Sequence, residues 1–105
     1  MKNKAINALI EMGVTTGTKG FQYIVDAMVL FENEDVRSEQ IMRVYEKIAA
    51  MHNASKSRVE RCIRYAFEVA LSYGNLKASE KYLTTQKTTN GNLLHVLYLR
   101  LAQEE

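Results

Sequence analysis

The sequence predicts an all-α fold of about six helices, on three observations. Proline is absent and there are only five glycines, so little interrupts a helical backbone. Apolar residues recur at spacings of three and four along successive segments, the period of a helix with one buried face. Those segments are separated by short runs of Gly, Asn, Thr and charged residues, which favour caps and turns.

The first helix covers about Lys2 to Met12, with Ile6, Leu9 and Ile10 at helical spacing and Gly13 as its C-cap. Val14 to Gly17 reads as a loop. Thr18 is placed to cap a second helix with Phe21, Ile24, Val25, Met28 and Phe31 along its buried stripe. The charged run Glu32-Asn33-Glu34-Asp35 stops it. Ser38 begins a third helix on which Ile41, Val44, Tyr45 and Ile48 follow the i, i+3, i+4, i+7 pattern. Asn53 tolerates the left-handed conformation needed to end it. A fourth helix runs from about Ser55 to Ser72 and is closed by Gly74. A fifth spans Leu76 to Leu83. After the polar stretch Thr84 to Gly91, a last helix from Asn92 to about Gln103 packs through Leu94, Leu97, Tyr98 and Leu101.

The 105 residues fit one domain, 1–105, large enough to bury a core without disulfides or metals. The single Cys62 has no internal disulfide partner, so a reducing cytoplasm is the natural compartment. No segment approaches the roughly 18 consecutive apolar residues of a membrane span, and none has the layout of a signal peptide. The net charge of +2 excludes little. The placement of the positive charge carries more information.

Helices three and four, joined around Asn53-Ala54, form a candidate helix-turn-helix over about 38–73, whose second member would enter the major groove of DNA. At about 100° per residue, Val59, Cys62, Ile63, Ala66, Phe67, Val69, Ala70 and Tyr73 gather on one side of the fourth helix. Ser57, Glu60, Arg61, Arg64, Tyr65 and Glu68 gather on the other, with Arg58 at the edge and Lys56 just before. An arginine fork can donate two hydrogen bonds to guanine O6 and N7. Glu60 can accept from cytosine N4 or hold a neighbouring arginine. Ser55 and Ser57 lie where free backbone amides and the helix dipole favour a phosphate. The same residues also fit a solvated face laced by Glu60–Arg64 and Arg61–Glu68 pairs, and Ser57-x-x-Glu60 matches a capping box.

From Ser57 to Ala70 the sequence SRVERCIRYAFEVA closely resembles the recognition helix of the stage-zero sporulation regulator A family, response regulators of endospore-forming Firmicutes. The likeness extends back through Gly13-Val14, Lys19-Gly20 and Tyr45 to Ala49, and forward to Gly74-Asn75, with a weaker trace in Lys87 to Asn90. The resemblance implies a six-helix effector domain that binds short boxes of the TGTCGAA type, often as tandem domains. It assigns Arg58, Glu60, Arg61 and Arg64 to the groove, and Ser55 and Ser57 to the phosphate backbone. Tyr65 stands on the DNA-facing side where the family usually has histidine, and joins the base-reading set. Glu46 and Thr88 occupy positions of proline, and Leu71 that of a tryptophan, which marks a divergent member. Family members also carry a receiver domain, so this chain is read as an excised or stand-alone effector domain.

Other candidates are weaker. Lys19 is placed to touch a phosphate, and Arg37, Arg43 and Lys47 extend the basic surface or are simply solvated. His52 and His95 lack partners at ligand spacing and read as helix-end or interface residues, so neither a metal nor a cofactor is expected. Cys62 reads as a small core residue and the methionines as core filler. No nucleophile–base or paired-carboxylate arrangement points to an enzyme. The rival function is a protein–protein module that pairs with a full-length regulator or RNA polymerase. Its expected sign is an apolar patch of Leu93, Val96 and Leu99 on the last helix.

Overall fold

The computed structural model describes residues 1–34 and 40–104. The described residues form six α-helices and no strand: α1 (Lys2–Met12), α2 (Lys19–Glu34), α3 (Ile41–His52), α4 (Lys56–Ser72), α5 (Leu76–Tyr82) and α6 (Asn90–Gln103). The expected start of α3 at Ser38, along with Asp35 and Arg37, lies outside them.

Local chemistry sets most of the boundaries. Gly13 ends α1 at φ 88°, and its amide donates to the Ile10 carbonyl. The Thr18 hydroxyl accepts from the Phe21 amide at 3.3 Å and starts α2. Asn53 ends α3 in the left-handed region at φ 53°, leaving residues 53–55 as the whole connection to α4. The cap of α4 is Ser55, whose Oγ accepts from the Arg58 amide at 3.1 Å, so the expected Ser57–Glu60 capping box is not used. Thr89 caps α6 by accepting from the Asn92 amide, which starts that helix two residues before the expected Asn92.

The core is continuous across the helices. Leu9 and Met12 of α1, Tyr23, Ile24, Met28 and Phe31 of α2, and Ile48 of α3 are fully buried, as are Ile63 and Phe67 of α4 and Leu94, Leu97 and Leu101 of α6. Helix α4 lies at the centre, packed against α2, α3, α5 and α6. Gly20 lets α2 cross close to it. A methyl group at Gly20 would run into the Cys62 carbonyl and lie 3.0 Å from the Ala66 Cβ.

Several expectations from helical phase fail, each for a local reason. Tyr73 is 88% exposed rather than buried, because the chain leaves the helical path there, at φ −126° and ψ −8°. Ile10 is exposed, since α1 buries Ala5, Ala8, Leu9 and Met12 instead. Met12 and Met28 are core residues, but Met42 and Met51 face outward. Cys62 is only half-buried. Leu93 is buried, because α6 meets α2, α4 and α5 and so hides a wider arc. Of the expected apolar patch on that helix, Leu93 is removed, Val96 is half-buried and Leu99 is exposed.

Candidate nucleic-acid interface

The site is the outward side of α4. Its inward side is anchored by Val59, Ile63, Ala66, Phe67 and Ala70, all buried, so the opposite side must face solvent. Ser57, Arg58, Arg61, Arg64, Tyr65 and Glu68 are all exposed there, Tyr65 to 66%. Three guanidinium groups therefore project from the first three turns of one rigid cylinder.

The guanidinium groups are not equivalent. Arg64 is held by Glu60, Nη1 to Oε1 at 2.5 Å across one turn, which places Glu60 as the brace of a neighbouring arginine. Among the described residues, no carboxylate holds Arg58 or Arg61. Lys56 reaches Glu46 of α3 at 3.4 Å, with both side chains about half exposed. That pair lies in water and is worth little. Ser55 already spends its hydroxyl on the Arg58 amide.

Folding adds a neighbour that is distant in sequence. Lys19, at the start of α2, lines an open apolar groove of about 660 Å³ together with Arg61, Cys62 and Tyr65. Lys19 is exposed and belongs to the same surface as the outward residues of α4. Arg43 is exposed on α3, whereas Lys47 is half-buried.

The geometry suits a helix that enters a groove of nucleic acid: a short connection, a buried back, and planar cations on the free side. A comparison with known protein families matches residues 5–101 to the family described as Sporulation initiation factor Spo0A C terminal. The chain belongs to that family. The Spo0A C-terminal family is a DNA-binding family of transcription regulators associated with sporulation, not a family of enzymes. The match covers all the outward residues of α4 and Lys19. No helix among the described residues is long and apolar enough to cross a membrane.

Two features of this Spo0A C-terminal domain were not anticipated. His52, at the end of α3, sets its Nε2 2.6 Å from Asp26 Oδ2 on α2, and its ring lies 5.2 Å from that of Tyr23. The turn between α3 and α4 is thereby tied to α2. No three His, Cys, Asp or Glu side chains gather as a metal site among the described residues. The second feature is Asn90, a buried residue whose Nδ2 donates to the Glu60 carbonyl at 2.9 Å. Sequence spacing left Asn90 in a loop. Thr89, a favourable cap residue, was the one available sign that the helix begins earlier.

Proposed function

We propose that this chain is a single DNA-binding domain that reads short boxes of the TGTCGAA type in the major groove of double-stranded DNA. Arg58, Arg61 and Arg64 contact base edges, Glu60 orients Arg64, and Tyr65 meets the bases on the same face. Ser57, Lys56 and Lys19 hold the phosphate backbone. Ser55 contributes there through the helix terminus that its cap organises, where free amides favour an anion. The domain works in the cytoplasm, with tandem copies on DNA and RNA polymerase as its partners.

The observation that carries this reading is the joint exposure of Arg58, Arg61 and Arg64 on a helix whose other side is core. The shared groove of Lys19, Arg61 and Tyr65 supports it, because it extends the cationic surface beyond one helix. Purely electrostatic binding would be indifferent to sequence, whereas an arginine on a guanine edge discriminates by about 1–3 kcal/mol.

Fluorescence anisotropy with a box duplex and a scrambled duplex, each at two salt concentrations, tests the reading. Arg61→Ala is expected to weaken box binding by about 1–3 kcal/mol and to narrow the gap between the duplexes. Equal losses on both duplexes would contradict base reading by Arg61. Failure to bind either duplex at any salt would favour the protein–protein alternative. That alternative retains only Leu99 as an exposed member of its apolar patch on α6.

A further inference from the structure

Apart from tyrosines, Ser79 and Asn90 are the buried polar side chains among the described residues, and both spend a hydrogen bond on the backbone of α4. The Ser79 hydroxyl, from α5, donates to the Ala70 carbonyl at 3.0 Å. The Asn90 amide, from the first turn of α6, donates to the Glu60 carbonyl at 2.9 Å. Ten residues separate the two carbonyls, about 15 Å along the axis. The Glu60 carbonyl lies in mid-helix and already accepts from the amide four residues on, so the Asn90 bond uses its second lone pair. The Ala70 carbonyl lies in the last turn, where the Gly74 amide donates to Val69 instead, so the Ser79 hydroxyl serves a carbonyl that the α4 ladder leaves free.

The segment before Asn90 is shaped to present it. Thr89 accepts from the Asn92 amide, and the Asn92 side chain donates to the Lys87 carbonyl at 2.8 Å. These bonds fix the turn from which Asn90 extends. Tyr45 of α3 is buried beside Asn90, with its hydroxyl near enough to interact with the Asn90 side chain. Asn90 thus joins α3, α4 and α6 at the height of Glu60, one residue before Arg61.

Apolar packing is non-directional, so a helix held by it alone can slide or rotate by small amounts at little cost. A buried hydrogen bond is directional, and a buried donor left without its partner costs free energy. Reading a base edge through a planar fork demands placement within about 0.5 Å and 10–20°. We infer that Asn90, with Ser79 as its counterpart at the other end, is a positioning residue that sets the axial register and rotation of α4 for base discrimination. The inference rests on the reading of α4 as the base-reading helix.

The test separates position from stability. Asn90→Ala, Ser79→Ala and Leu101→Ala are compared by thermal unfolding, and by anisotropy on box and scrambled duplexes well below the unfolding transition. Leu101 is a fully buried residue of α6, and its truncation supplies the stability-matched control. Asn90→Ala is expected to weaken box binding about tenfold while scrambled binding and the salt slope stay within about twofold. Ser79→Ala follows in the same direction with a smaller effect. Leu101→Ala lowers the melting temperature at least as much and leaves the box-to-scrambled ratio unchanged. An unchanged ratio in Asn90→Ala, or an equal fall in Leu101→Ala, would overturn the inference while leaving the base-reading proposal intact. A wild-type protein with no box preference would instead remove that proposal. The positional claim is then decided by backbone amide shifts of residues 58–65, which must move together in Asn90→Ala.

Discussion

Gly20 sits where α2 crosses α4, and its replacement by alanine tests how tightly that crossing is built. The added methyl would meet the Cys62 carbonyl and come within 3.0 Å of the Ala66 Cβ. A helical carbonyl cannot swing aside as a flexible side chain can, so the helices must part or twist. Overpacking of this kind costs about 1–3 kcal/mol, and contact with backbone argues for the upper end. Alanine recovers up to about 1 kcal/mol of helix propensity over glycine. The net expectation is a loss of about 2 kcal/mol, or a fall in Tm of about 8–16 °C at this chain length. Urea unfolding monitored by circular dichroism measures it. Gly17 provides the matched control, because its added methyl would meet nothing within 4 Å and its φ is not positive. Gly17→Ala should leave stability unchanged or raise it by up to about 1 kcal/mol. A Gly20→Ala protein as stable as wild type would refute the claim that this contact sets the α2–α4 distance.

Two other outcomes are expected. Ser55→Ala should cost about 1 kcal/mol of stability, and Ser55→Gly only a few tenths. If the glycine variant keeps its stability and binds both duplexes as wild type does, the Ser55 hydroxyl acts through capping and not through a phosphate. The second outcome concerns pH. Burial, then the neighbouring Glu11 and Glu104 carboxylates, push the Tyr82 hydroxyl well above its ordinary value of 10.0, and burial also raises Tyr45. The unfolded chain therefore releases these protons first. Their contribution to stability is fully present below pH 10 and falls as pH rises above it. Tyr82→Phe should flatten that alkaline decline in urea-unfolding curves taken from pH 8 to 11.

Much of the architecture was legible because short-range rules governed it. Gly13 and Asn53 end their helices in the left-handed region, as an absent Cβ or a compact polar side chain allows. Thr18 caps α2 by an oxygen three residues from the amide it serves. The buried and exposed sides of α4 follow from 100° per residue over most of its length. That rule failed at Tyr73, one residue past the helix end, where phase no longer has meaning. It failed again at Leu93, because periodicity reports which residues share a side and not how many neighbours cover it.

The amino-acid order alone determined the helix count, the caps at Gly13, Thr18 and Asn53, and the gathering of Arg58, Arg61 and Arg64 on one side of α4, since each depends on residues within a few positions of one another. Tertiary structure decided that Lys19 shares a groove with Arg61 and Tyr65, that Asp26 reaches His52, and that Asn90 and Ser79 bond to carbonyls of α4. These contacts join residues 9 to 46 positions apart. Spacing along the chain carries no record of such approaches, because they arise from the way the helices cross.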